Sequence, residues 1–134
     1  MDFPAVGDWV MIDRIDGNSG SVMIRSILRR KSFFARRAAG GKEDVQIVAA
    51  NVDTIFICMS LNTDFNLRRL ERYMSIAWDS MATPVIVLTK SDLCDDIEDK
   101  IREVSSVSAG ADIMICSNAE ERGIDAVYRY IEEG

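Results

Sequence analysis

The sequence predicts an α/β protein: a short antiparallel β segment, then a parallel sheet with flanking helices. Three observations predict it. Before about residue 45, apolar and polar residues alternate, as on strands with one covered face. After it, short continuous apolar runs appear, as on strands covered on both faces, separated by stretches of helical spacing. Those stretches follow one another as strand, helix, strand, helix, strand, helix, the order of a parallel sheet with right-handed crossovers.

In the first portion DWVMIDRI alternates, GNSG supplies a turn and SVMIRSIL alternates again, which predicts a two-stranded hairpin of a small antiparallel sheet or barrel. Two strands do not make a stable sheet alone, so this portion leans on the rest or belongs to something larger. ILRRKSFFARRA follows, with Arg29, Arg30, Lys31, Arg36 and Arg37 around Phe33 and Phe34. Cations neutralise phosphates and rings stack on unpaired bases, so this cluster is a candidate RNA contact. A solvated loop whose phenylalanines tuck into a core is the alternative.

In the second portion VDTIFICMSL reads as a covered strand. NLRRLERYMSIAWDSM places Leu67, Leu70, Met74, Ala77 and Met81 at helical spacing, with Asn66 as cap. The strand PVIVL, the polar helix DDIEDKIREVSSV, the strand ADIMICS and the helix GIDAVYRYIEE complete the series. Ligand sites of such sheets lie at the carboxyl ends of the strands. The predicted division is 1–44 for the β segment and 45–134 for the α/β part.

Composition limits the chemistry. With 134 residues, 48% of them hydrophobic, the chain has enough apolar surface for one ordinary domain or a small domain with an appendage. No apolar run reaches a membrane span and no signal peptide is legible at the start, so a soluble, cytoplasmic protein is expected. With no histidine, the common histidine-based catalytic and metal sites are excluded. The three cysteines lack metal-ligand spacing, and Cys58 and Cys116, within apolar runs, read as small buried hydrophobes. Charge is uneven: 11 Lys and Arg stand against 10 Asp and Glu in residues 1–83, but 5 against 12 in 84–134.

At the strand ends stand Thr89-Lys90-Ser91-Asp92 and Ser117-Asn118-Ala119. A carboxylate on a short turn accepts from the N1–H and 2-amino group of guanine, a pair adenine does not offer. Asp92 is that candidate. Lys90 would lay its stem along the base, an amide at Asn118 would reach the 6-oxo group, and Ser117 would brace the Asp92 turn. The alternative is that the turn merely caps the next helix. No G-x-x-x-x-G-K-[ST] phosphate loop exists: Ala39-Gly40-Gly41-Lys42-Glu43 has glutamate where the magnesium hydroxyl belongs, and no aspartate has glycine three residues on.

The run from Gln46 to Cys94, QIVAANVDTIFICMSLNTDFNLRRLERYMSIAWDSMATPVIVLTKSDLC, resembles the ribosome small subunit-dependent GTPase A (RsgA) family, as do GDWV, IRSILRRKSFFARRAAG and SNAEERGID. That family is circularly permuted, with the guanine motif ahead of the phosphate loop. The resemblance implies a partial OB-fold barrel over 1–44 that binds ribosomal RNA through the basic segment, then the guanine-recognition half of a permuted GTPase domain. It implies Thr89, Lys90, Ser91, Asp92, Ser117, Asn118 and Ala119 as guanine-binding residues, with threonine where most GTPases have asparagine. It also implies GTP or GDP with magnesium in the intact family member, the small ribosomal subunit and its RNA as partners, and GTP hydrolysis in subunit maturation. An incomplete barrel and the missing phosphate, magnesium and zinc motifs make the chain look like an internal or truncated piece. Such a piece is expected to hold no nucleotide tightly, not to hydrolyse GTP, and to self-associate through an uncovered sheet edge. A non-catalytic RNA- or ribosome-binding module, or a nucleotide-free interaction domain, is the alternative.

Overall fold

The computed structural model describes residues 3–13, 22–37 and 45–131; the side chains of Arg36, Arg37 and Val45 fall outside that set, as do the GNSG turn, the Ala39 to Glu43 stretch and the last three residues. Strand β1 (Val10–Asp13) pairs antiparallel with β2 (Met23–Ile27), and β3 (Phe33–Arg37) pairs antiparallel with β4 (Val45–Ala50). Four strands therefore stand where alternation predicts two. The latter part of the basic segment, from Phe33 on, is β3; its adjacent phenylalanines and a register shift between Phe34 and Ala35 obscure the two-residue period. Because β4 pairs back onto β3, the chain forms two compact units, Met1–Asp53 and Thr54–Gly134.

Polar groups hold the first unit together. Arg30 donates to both oxygens of Asp8, Nε to Oδ1 and Nη2 to Oδ2, each at 2.7 Å, and the Ala5 amide adds a third bond at 2.8 Å. Those bonds favour the charged carboxylate, with the Arg30 hydrogen bonds largest, and hold Asp8 at about 2, below the usual 3.8. Asn51, in a left-handed conformation, ties three strands of chain: it accepts from the Lys31 amide, donates to the Gly7 carbonyl, and its own amide donates to Ser32. Ala50 is the one buried hydrophobic residue described in this unit, while Trp9, Met11, Ile12, Met23 and Ile24 are exposed. Its strands thus present uncovered apolar faces, as a partial barrel does.

The second unit is the predicted α/β series: β5 (Thr54–Ser60), α1 (Leu67–Asp79), β6 (Thr83–Thr89), α2 (Ile97–Val107), β7 (Asp112–Ile115) and a short α3 (Ile124–Tyr128). The three strands are parallel in the order β5-β6-β7. On one face, Ile57, Met59, Ile86 and Leu88 meet Leu70, Met74 and Ala77 of α1 and Val104 of α2. On the other, Val85, Val87 and Met114 meet Ala126, Val127 and Tyr130. Central β6 is buried on both faces, which is why it reads as an unbroken apolar run. Asn66 Oδ1 accepts from the Arg69 amide at 2.9 Å and caps α1 as expected. Met81, expected on the buried stripe, is instead 83% exposed: the helix has ended and Met81 turns left-handed.

Candidate base-recognition site

Parallel strands end on the same side of a sheet, so the two loops singled out in the sequence are neighbours. Leu88 of β6 lies opposite Ile115 of β7. One residue on, the Cys116 amide donates to the Leu88 carbonyl at 2.9 Å, and the Ser91 amide donates back to the Cys116 carbonyl at 3.3 Å. Lys90 (φ +58°) turns the chain left-handed off the end of β6, and residues Ser91 to Leu93 form one 3-10 turn. Ser91 is buried while Lys90 and Asp92 are exposed, so the turn presents a cation and a carboxylate on a fixed backbone.

Asp92 is not a cap. Helix α2 starts at Ile97 after Asp96, and Asp92 Oδ1 instead accepts from the fully buried Ser117 Oγ at 2.5 Å. The same hydroxyl accepts from the Glu120 amide at 3.3 Å. Ser117 and Arg122 exchange both backbone hydrogen bonds at 2.9 Å, closing a small loop with Asn118 and Ala119 exposed on it. No acceptor for the Asn118 or Ala119 amide stands among the described residues. A carboxylate thus lies beside two amides with unused donors, a set complementary to a flat group with donors on one edge and an acceptor next to them.

Thr89, Lys90 and Asn118 rim a cavity of about 560 Å³ on the α3 side of the sheet, with Phe56, Cys58, Val87 and Cys116 in its wall. The cysteines differ here from expectation. Cys58 is exposed and Cys116 half-buried, because Cys58 shares the β5 face with Phe56, and α3 is too short to cover that face beyond Phe56, which Tyr130 meets edge-on at 6.2 Å. Burial, and more weakly Cys58, raises the Cys116 thiol above its usual range. The third loop at this edge carries Asp64, held below the usual carboxylate range mainly by Arg69 hydrogen bonds and partly by the Lys90 charge.

The described members of the basic cluster differ in their partners. Arg30 is turned onto Asp8, Lys31 Nζ reaches Asp53 at 2.5 Å with both side chains exposed, and Arg29 is exposed with no ion pair among the described residues. The Arg36 and Arg37 side chains lie outside the described residues. Sequence reasoning did not single out Arg122 or Gly123, which close and follow the second loop; a glycine directly ahead of an amphipathic run was the available signal.

A magnesium ion finds no matching donor set among the described residues. The sequence has neither a phosphate loop nor Asp-x-x-Gly, and among the described residues no three His, Cys, Asp or Glu side chains converge. No described helix is long and apolar enough to cross a membrane.

The RsgA GTPase family profile matches residues 27–134. The chain is 52% identical over 132 residues to "Small ribosomal subunit biogenesis GTPase RsgA 2" of Lactiplantibacillus plantarum, covering 98% of this chain and 37% of that protein. To "Small ribosomal subunit biogenesis GTPase RsgA 1" of Listeria innocua it is 44% identical, covering 94% of this chain and 34% of the relative. The chain therefore spans little more than a third of these relatives. Among solved structures, YjeQ from Thermotoga maritima superposes with a TM-score of 0.72 at 23% identity over 97% of this chain and 44% of that one. YloQ, described as a circularly permuted GTPase, superposes at 0.68 and 21% identity, over 98% and 44%.

Proposed function

The chain belongs to the RsgA GTPase family, and on that premise we propose that it is the guanine-reading part of a ribosome-associated GTPase that acts in maturation of the small ribosomal subunit. The observation that carries this reading is the Ser117 hydroxyl fixing Asp92 beside the unused amides of Asn118 and Ala119. Oδ1 spends one lone pair on Ser117, which leaves the carboxylate able to accept both N1–H and the 2-amino group. The 118–119 amides meet the 6-oxo group, Lys90 covers a face of the base, and Thr89 and Ser91 shape the turn. Adenine would set an unprotonated N1 against the carboxylate and a 6-amino group against the amides, which repel it.

In the intact family member the nucleotide is GTP or GDP with magnesium, and hydrolysis controls docking on the subunit. This chain supplies recognition of the base and no hydrolytic step. The test is direct: micromolar GDP leaves the 134-residue chain unsaturated and no phosphate is released, with or without small subunits, whereas tight GDP binding would overturn the reading.

Residues 1–44 are assigned the ribosomal RNA contact, made by Arg29 and Lys31 with Arg36 and Arg37, while Arg30 braces the fold through Asp8. Residues 45–134 are assigned the base site. RNA or ribosome binding without nucleotide is the second reading, favoured by a base site that lacks phosphate donors. A role on ribosomal subunits supports a cytoplasmic location for the protein. The outer edge of β5, a strand with no charge, proline or glycine, pairs with nothing among the described strands and supports self-association with a second copy.

A further inference from the structure

We propose that Gly123 is a positioning residue for base recognition: it sets where the Asn118 and Ala119 amides stand relative to Asp92, and with them discrimination at the purine 6-position. This rests on the base-recognition reading above. The loop from Ser117 to Arg122 closes on itself through two backbone hydrogen bonds, so the next residue is delivered directly against the end of β7. Glycine alone fits there. Gly123 has φ +73°, and a Cβ built on it would lie 2.1 Å from the Ile115 carbonyl oxygen, with Ile115 C at 3.2 Å and Cys116 Cα at 3.3 Å.

Those atoms cannot give way cheaply. The Cys116 amide is bonded to Leu88, and Ile115 is held in the parallel ladder opposite Leu88. A side chain at 123 must therefore displace residues 122–123 by about 1 Å, beyond the roughly 0.5 Å within which a binding constellation keeps its geometry. The displacement opens the Ser117–Arg122 bridge and moves the 118–119 amides. Asp92 moves less, because Ser117, which holds its carboxylate, follows directly on the anchored Cys116, and the turn is held as well through the Ser91 amide on the Cys116 carbonyl. Gly123 thus governs the contact to the 6-oxo group while the contacts to N1–H and the 2-amino group persist.

The test compares the whole chain with its G123A and G110A variants by amide-resolved NMR. Gly110 is also left-handed, at φ +86°, but a Cβ there meets nothing within 4 Å, so G110A carries the backbone strain without the collision. In G123A, hydrogen exchange at the Ser117 and Arg122 amides is expected to accelerate while Cys116 keeps its protection; G110A leaves all three unchanged. Titrations use guanosine, 6-thioguanosine, whose sulfur accepts poorly, and inosine, which lacks the 2-amino group. G123A is expected to lose the preference for guanosine over 6-thioguanosine, about three- to tenfold for one hydrogen bond, and to keep that over inosine. Retained protection at Ser117 and Arg122, an unchanged thioguanosine ratio, or an equal fall in both ratios overturns the proposal. So does collapse of the whole Thr54–Gly134 spectrum, which would assign the glycine to the fold at large. A wild-type chain without preference among the nucleosides instead rejects the base-reading proposal, and the exchange data still decide whether Gly123 holds the loop.

Discussion

Replacing Ser117 by alanine removes one hydroxyl from a site with no solvent access and changes little else, because the Cβ stays in place. Two hydrogen bonds go with it, the one given to Asp92 and the one taken from the Glu120 amide. A hydrogen bond to a charged group contributes about 1.5–3 kcal/mol, but Asp92 and Glu120 are exposed and water replaces much of the loss, so the expected cost is about 1–2 kcal/mol. For a unit of this size that lowers Tm by about 5–10 °C. Urea unfolding followed by Trp78 fluorescence, in a background where Trp9 is phenylalanine, reads the second unit. A double-mutant cycle with D92A is expected to give a coupling of about 1 kcal/mol. A cost for S117A that is the same with Asp92 present as in the D92A background would refute the idea that the hydroxyl works through the carboxylate.

Three further outcomes are expected. Asp8 has a depressed folded-state value of about 2 against the usual 3.8, so its stabilisation is complete above 3.8 and is lost as pH falls toward 2; the first unit should weaken across that window, and a D8N chain, lacking the titrating carboxyl, should be flat there. Charge reversal at both Arg29 and Lys31 should weaken single-stranded RNA binding and flatten its salt dependence by about 0.7 log units per lost contact, with the fold kept, whereas R30A should destabilise the fold, as seen by circular dichroism. Light scattering at rising concentration should show self-association that proline at the exposed Cys58, whose amide faces away from β6, reduces; a strictly monomeric wild-type chain counts against pairing at that edge.

The parallel unit was legible because its signals are local and redundant. β6 is buried on both faces and so reads as an apolar run, and α1 carries both its stripe and its cap. The first unit was half legible: β1 and β2 alternate, but a bulge and paired phenylalanines hide β3, and β4 became visible only through its pairing with β3. Of the site, Asp92 and the 117–119 loop could be found from their place after consecutive strands. Three features could not. Arg30 looked like its basic neighbours until Asp8, distant in sequence, was seen to claim it. Cys58 sits in an apolar run, yet the short α3 leaves it uncovered. Gly123 is one glycine among eight, and only the approach of Ile115 distinguishes it.

The central claim is that this chain reads guanine from its base alone, and amide NMR titration of the 134-residue protein with guanosine, GDP and adenosine tests it most directly. The account predicts shifts at residues 89–92 and 116–119, weak binding with guanosine and GDP alike, and no matching response to adenosine. Equal responses to adenosine and guanosine, or shifts confined to other residues, would contradict it.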